Sequence, residues 1–568
     1  MKRAAKSTEM VPAVARTVEV PRSSGNQAAV VGGAIDAASS TSAEMHNWQL
    51  SLKSPDRAIN TAKPTLDIRS QDMLQNDGVS QSSLNINRDS IVGSQYRLNS
   101  QPEWRIVKTV CRAADETWAE EFQEAVETCF NLMADSEYCW FDYSGKTTFT
   151  GLIRLGLASW AGSGEILRAS EWDRTPGRPF RTSFSQASPH RLRNPNNGPD
   201  TETLRRGVEI NERSAKPVAY HISRTHPGDL HFMAKQDQWQ RIEARKPWGR
   251  KMVSHIFEAD QAEQNRGISA MVSVLSDMRM LKQFKRTTLQ NAVLNASYAA
   301  TMESELPPEM IRLMMGGTSG GTPAEGIQQG LGAYLGMLAD YMAGSKRIDV
   351  NGSMIPHLFP GSKLNTKTLG TPGGIGTEFE TGILRHIAAG LGVSYEELAR
   401  DYSKVSYSAA RASVVNSERT MRGRKKMIAD RDANFMFDNW LEEQMAMGAL
   451  PMPRGWQPWM FYQPMVREAL TACSWIGSGR GQIDEMKESQ SAIMRINAGL
   501  STHEIELAKF GMDYRVVFKQ RAREVKLMKS LGLDFSSDAT RTNAGSQSIQ
   551  EGGSNGTGDD EQDREDEQ

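Results

Sequence analysis

The stretch Arg385–Ser413, RHIAAGLGVSYEELARDYSKVSYSAARAS, constrains the fold of this chain more than any other. Its spacing predicts a helix, a short irregular loop and the start of a second, much longer helix. Gly390 and Gly392 can take the backbone conformation that closes the first helix. Ser394 with Glu397 makes a capping-box pattern for one short turn. Asp401, Tyr402, Ser403 and Lys404 follow as a loop of small or polar residues, and Ser406 or Ser408 can cap the next helix. That helix runs without proline to the neighbourhood of Met447. A loop offering Tyr, Ser and Lys between two rigid helices suits contact with something large and polar better than chemistry on a small molecule.

Around this stretch the pattern is α+β. Residues 1–50 are rich in Ala, Ser, Thr and Gly, and the end of the chain from Ser536 is rich in Gly, Ser and Asn and then acidic; both tails are expected to be disordered. Asp56–Ile91 has helical spacing with breaks. Glu120–Met133 places Phe122, Val126, Cys129 or Phe130, and Met133 on one helix face, and Thr148–Trp160 is a further helix. From Glu165 the period drops to two. Ile166 and Arg168 begin a strand; Val208 and Ile210, then Val218, Tyr220 and Ile222, make a hairpin across Glu212–Lys216; Trp239–Arg245 and Met252–Phe257 are two more strands. A β-rich unit is therefore expected over 164–258. A helix from Ser269, its N-cap, to Met302 would be roughly 50 Å long at about 1.5 Å per residue. It carries Met271, Leu275, Met278 and Leu281 on one face and Lys282, Lys285 and Arg286 on the other. The Gly-rich region that follows holds a possible helix, Gln328–Met342, and a turn at Val350-Asn351-Gly352. Two C-terminal helices are expected at 484–510 and 513–531, separated by Gly511, with Ser501 and Glu504 capping within the first.

Charge and cysteine usage exclude several classes. The 568 residues carry 67 Lys and Arg against 68 Asp and Glu, so no global basic bias advertises DNA wrapping. A surface past which DNA slides has reason to avoid such a bias, because each phosphate it neutralises adds binding that resists sliding. Cys111, Cys129, Cys139 and Cys473 form no Cys-x-x-Cys pair and no His spacing completes a metal site, so buried free thiols in a reducing compartment are expected. No apolar run approaches the ~20 residues that span a bilayer, and the basic N-terminus lacks the apolar segment of a secretion signal.

Catalytic patterns are weak. Gly317-Thr-Ser319-Gly-Gly321 fits G-x-S-x-G but lies in a Gly-rich loop, where Met310–Met315 makes a poor strand and His386 sits on a predicted helix. His503-Glu504 lacks the second His of a zincin, and His221, His226 and His231, spaced by five, suit neither a helix face nor a strand face. No G-x-x-x-x-G-K-[ST] occurs, so the sequence offers no P-loop for ATP. Arg419, Arg422, Arg424, Lys425, Lys426 and Arg431 cluster on the long second helix. They read as a solvated face, or as a contact for nucleic acid or a neighbouring subunit.

Several blocks in order resemble the portal proteins of tailed bacteriophages, specifically the lambda-type family. They are SQDMLQNDGVSQSSLNINRDSIVGSQYRL from Ser70, TFTGLIRLGLASWAGSGEIL from Thr148, RRGVEINERSAKPVAYHI from Arg205, HIFEADQAEQNRGISAMVSVLSDMRML from His255, the opening stretch, and INAGLSTHEIELAKFGMDY from Ile496. The resemblance implies a homo-oligomeric ring, usually of twelve subunits, at one capsid vertex in the virion, assembled in the host cytoplasm. Double-stranded DNA would pass its channel without sequence preference. Implied partners are terminase, major capsid and scaffold proteins, and head-completion or tail-connector proteins. No membrane, cofactor, metal or catalytic residue is implied.

The family architecture maps onto the chain as a wing at 51–258, a stem helix at 259–302, a clip-like region at 303–372 and a second stem helix at 373–393. A tunnel loop follows at 394–407, then a long helix with wing return at 408–480, crown helices at 481–532 and an acidic tail at 533–568. On this mapping Tyr402, Ser403, Lys404 and Tyr407 face the DNA channel, and Lys282, Lys285, Arg286, Arg422, Lys425 and Lys426 are possible contacts to DNA or a neighbouring subunit. The long helices also carry more apolar surface than one chain covers, which lateral neighbours in a ring would bury. Two other readings are a serine hydrolase built on Ser319 and a scaffolding or adaptor protein of the same particle.

Overall fold

The computed structural model describes residues 51–229, 238–297, 332, 335–336, 347–350, 353–356, 375–403, 405–479 and 485–533. Both tails, Ser319, His231 and nearly all of the Gln328–Met342 segment lie outside these residues.

The chain opens with α1 (Pro55–Asn76), capped by Ser54, and α2 (Gly78–Ile91), capped by Asp77, whose carboxylate accepts from Ser80 N. Strand β1 (Arg97–Ser100) leads into α3 (Trp104–Val110), α4 (Glu116–Ala134) and α5 (Phe149–Ser163). In α4 the anticipated face is buried through Phe122, Val126 and Phe130, while Cys129 and Met133 are only partly covered.

Glu165–Trp172 forms β2, flanked antiparallel by β3 (Thr182–Ala187) and, across the sheet, a later strand at Val253–Phe257. The strands between them are β4 (Leu204–Arg205), β5 (Val208–Ile210), β6 (Pro217–Ser223) and β7 (Trp239–Glu243), in the order β4-β5-β6-β7 of a separate antiparallel sheet; Val253–Phe257 is β8. The anticipated single β-rich unit is thus two sheets. Strand β3 reads as polar in sequence, because Ser183 and Ser185 interrupt its pattern, yet its first three residues are buried.

After β8, Ser269 accepts from Met271 N. It caps a 3-10 turn, Ala270–Ser273, rather than the long helix itself, which is α6 (Leu275–Ser297). Met271, Leu275, Met278 and Leu281 are buried as expected. Strands β9 (Arg347–Val350) and β10 (Ser353–Pro356) pair antiparallel with Val350 opposite Ser353. Then come α7 (Ile375–Leu391), the short α8 (Tyr395–Ala399) and α9 (Tyr407–Arg424). A π-helical segment, Lys425–Ala429, joins α9 to α10 (Asp430–Met447), so the proline-free run is one helical rod with an extra residue in one turn. Helix α11 (Val466–Leu470) precedes β11 (Cys473–Ile476), which pairs with β1 across more than 370 residues of sequence.

The C-terminal helices are α12 (Glu485–Asn497), α13 (His503–Lys509) and α14 (Tyr514–Leu531). The single helix anticipated at 484–510 is therefore broken at Gly499, whose φ is +69°, and the cap of α13 is Thr502 rather than Ser501. Thr502 wins because its hydroxyl accepts from Ile505 N, three residues on, the geometry an N-cap requires.

The main core gathers α2, α4, α5, α10 and β11 around Phe130, whose ring meets Phe141, Phe149, Phe437, Trp440 and Trp475 at centroid distances of 5.0–5.7 Å. Two fully buried ionic groups pin the three-stranded sheet to this core. Arg168 on β2 grips Asp432 on α10 with two bonds of 2.7 Å. Glu165, on the same strand, is met by Arg266, by His255 at 3.0 Å and by Lys63 at 3.5 Å. Burial pushes the Glu165 carboxyl up, and Arg266, Lys63 and His255 overcome it, leaving it well below the usual carboxylate range. Lys63 also donates to the carbonyls of Ser163 and Gly267, so α1, α5, β2 and the approach to α6 meet at one charge cluster.

Candidate functional site

The polar loop predicted between two helices is present, and its frame can be built from single residues. Helix α7 stops at Leu391 because Gly392, φ +67°, turns the chain back, and Val393 N donates to Ala388 O. Gly390 has a different duty from the one its sequence position suggests. It is inside the helix, where a Cβ would stand 2.4 Å from Val274 Cγ1, so its lack of a side chain lets α7 close against the turn before α6. Arg424 completes the end of α7: one guanidinium nitrogen donates to Leu391 O at 2.6 Å, another to Asn87 Oδ1 at 3.0 Å, and the group lies over the Trp160 ring. A cation at a helix C-terminus also answers the helix dipole.

Ser394 caps α8, accepting from Glu397 N, while its own N–H donates to Ser417 Oγ on α9 rather than to Glu397 as a full capping box would have it. Ser413 on α9 bonds Glu396, and Ser82 on α2 bonds Leu398 O. Helix α8 is thereby fixed on two sides. Arg400, with φ +53°, ends it. Asp401 then accepts from both Ser403 N and Ser403 Oγ, a tight local turn. Ser406, not Ser408, caps α9.

Tyr402 and Tyr407 bracket this turn, 50 % and 52 % exposed, and Ser403 is exposed; Lys404 lies outside the described residues. Burial, then Glu397 and Glu396, push the Tyr402 hydroxyl up, so it stays a neutral donor at physiological pH.

The basic residues assigned to contacts fall into two groups. Arg422 and Lys426 project outward, with side chains 63 % and 73 % exposed, and pair weakly with Glu418 and Asp430. Arg286 is exposed. Lys425 does not share that face. At the start of the π segment it turns inward, where Nζ donates to Asp430 Oδ1 at 2.9 Å and Trp475 O at 2.8 Å and sits over the Tyr96 ring. Lys282 donates to Asn76 O, the last carbonyl of α1, and Lys285 pairs with Glu380 at 2.6 Å, tying α6 to α7. These inward or cross-helix roles leave no mark in the sequence, since the partners Trp475, Asn76 and Glu380 lie far from these lysines along the chain.

Among the described residues no group of three or more His, Cys, Asp and Glu could hold a metal ion, and no helix is long and apolar enough to cross a membrane. The four cysteines are unpaired; Cys111 and Cys139 are buried, whereas Cys129 and Cys473 are half-buried.

Fold and site together define a mixed helix-and-sheet protein that presents a polar loop on a rigid helical frame. The chain belongs to the lambda family of phage portal proteins, whose family model matches residues 41–425. It is 37 % identical over 492 residues to "Portal protein B" of Escherichia phage lambda, covering 86 % of this chain and 89 % of that one. It is 38 % identical to the "Portal protein" of Escherichia phage N15, with the same coverages. The "Probable portal protein" of Halomonas phage phiHAP-1 is 22 % identical, with 84 % and 83 % covered. Among solved structures, a chain of "Virion of native gene transfer agent (GTA) particle" matches with TM-score 0.36 and 12 % identity, covering 79 % of this chain and 93 % of that one. A chain of "Neck of native GTA particle computed with C12 symmetry" matches with TM-score 0.26 and 13 % identity, covering 73 % and 96 %.

Proposed function

We propose that this protein is a non-enzymatic ring conduit, a homo-oligomer of twelve subunits at the capsid vertex, through which double-stranded DNA is packaged and later ejected. The observation that carries the reading is identity of 37–38 % to two proteins named portal protein over 86 % of the chain. Helices α6 and α7 act as the stem, the 394–407 segment as the loop facing the channel, α9 and α10 as the rod behind it, and α12–α14 as the crown. The 51–258 region is the wing and 303–372 the clip, where terminase and head-completion or tail-connector proteins dock. Major capsid and scaffold proteins surround the wing. Assembly takes place in the host cytoplasm and the finished ring resides in the virion.

The loop is suited to this role. Its frame is tied on both sides, and its described residues offer two half-exposed tyrosines and Ser403, with Lys404 next in sequence, groups that meet phosphates without reading bases. Arg422 and Lys426 extend the basic surface along the rod. A ring repeats Lys404 once per subunit, so one lysine makes a band of charge. Particles assembled with Lys404→Ala test the assignment: packaging or retention of DNA should fall, and wild-type packaging and retention in that variant contradict it.

A further inference from the structure

We infer that the acidic segment Asp559–Glu567 of this chain docks on the basic stripe of α14 and holds that helix away from nucleic acid. Helix α14 carries six basic residues, Arg515, Lys519, Arg521, Arg523, Lys526 and Lys529, against one acid, Glu524. At 3.6 residues per turn, all of these cations except Arg521 fall within an arc of about 120°. The stripe is divided in use. Near its start Arg515 donates to Gln123 at 2.9 Å and Lys519 pairs with Glu124, so this half is anchored to α4. Arg523, Lys526 and Lys529 are exposed and make no ion pair among the described residues. No residue of α14 is fully buried.

Three cations in a row on an exposed helix, without an ion pair among the described residues, attract an anion, and the chain carries a matching one. Asp559–Glu567 has seven acids and one base, Arg564. The intervening residues 534–558, rich in Gly, Ser, Thr and Asn, are of a composition whose r.m.s. span is about 28 Å for 26 steps. From the end of α14 back to Arg523 is roughly 12 Å at about 1.5 Å per residue. The acidic segment therefore reaches the free half of the stripe without stretching. The alternative occupant is the DNA backbone. Duplex DNA presents the same charge, so the two compete for Arg523, Lys526 and Lys529, and the tethered segment has the advantage of high effective concentration. The consequence is a crown surface that stays off DNA unless the segment is displaced. This goes beyond a conduit role, and neither test below depends on ring formation.

Zero-length carbodiimide coupling of the full chain, read by mass spectrometry, should join Lys526 and Lys529 to carboxylates of 559–567 in preference to the exposed Lys108. Coupling no greater than at Lys108 overturns the proposal. In parallel, the segment's seven acids are replaced by Asn or Gln, and binding to a random-sequence duplex is measured against salt. The neutralised chain should bind more tightly, with a log–log salt slope steeper by about 3, one ion for each cation released. The added slope should vanish when Arg523→Gln, Lys526→Gln and Lys529→Gln are also present. An unchanged slope on neutralisation, or a steeper slope that survives the three Gln substitutions, overturns it.

Discussion

At the scale of single residues, the informative positions are charges where a sequence leads one to expect apolar side chains. Arg168 and Asp432 are both fully buried and bonded twice. Removing one partner strands the other, so Arg168→Met should cost about 3–5 kcal/mol, whereas Arg168→Met with Asp432→Leu should regain most of that. Thermal unfolding of both variants checks it, and equal losses in the single and double variants contradict it. Glu127 gives a pH-dependent case. Burial pushes its carboxyl up to about 7, outweighing the bonds it accepts from Gln123 and Ser100. Its folded pKa thus exceeds the unfolded value of about 4.3, so the folded state binds the proton more tightly. That contribution is full below the unfolded pKa and is lost as pH rises through 7. Glu127→Gln keeps the neutral form, so from pH 5 to pH 8 the parent should lose stability relative to the variant, on the order of 2–3 kcal/mol. Parallel curves of melting temperature against pH contradict this.

At the scale of elements, local chemistry was legible and long-range partnership was not. Ser394 caps α8 as expected, Ser406 and not the alternative Ser408 caps α9, and Thr148, at the expected start of a helix, caps α5, because an N-cap is decided within four residues. The pairing of β1 with β11, the split of the strands into two sheets and the turn of Lys425 toward Trp475 depend on residues far away in sequence, and no periodicity encodes them. Gly390 shows the same division. Its glycine was visible, but the reason for it, Val274, lies in another element. Gly390→Ala gains about 1 kcal/mol of helix propensity, yet forces a contact with a buried, β-branched side chain that cannot swing aside, typically a cost of about 1–3 kcal/mol. Net destabilisation is expected, and adding Val274→Ala should cost less in the Gly390→Ala background than in the parent. Equal costs in the two backgrounds contradict the packing argument.

At the scale of the whole molecule, the surface is unfinished. Met280 and Leu289 on α6 and Phe379 on α7 are each more than half exposed, as are Met486, Ile493 and Met494 on α12. Apolar surface of this kind on adjoining long helices is what a lateral neighbour would cover in a closed ring. The loop held between α8 and α9 takes its proposed meaning from that assembly, since one copy presents a polar tip and a ring presents a collar. Electron microscopy of the purified full-length protein tests this most directly. The predicted result is a closed ring with a central hole wide enough for duplex DNA, and a compact monomer without a hole contradicts it.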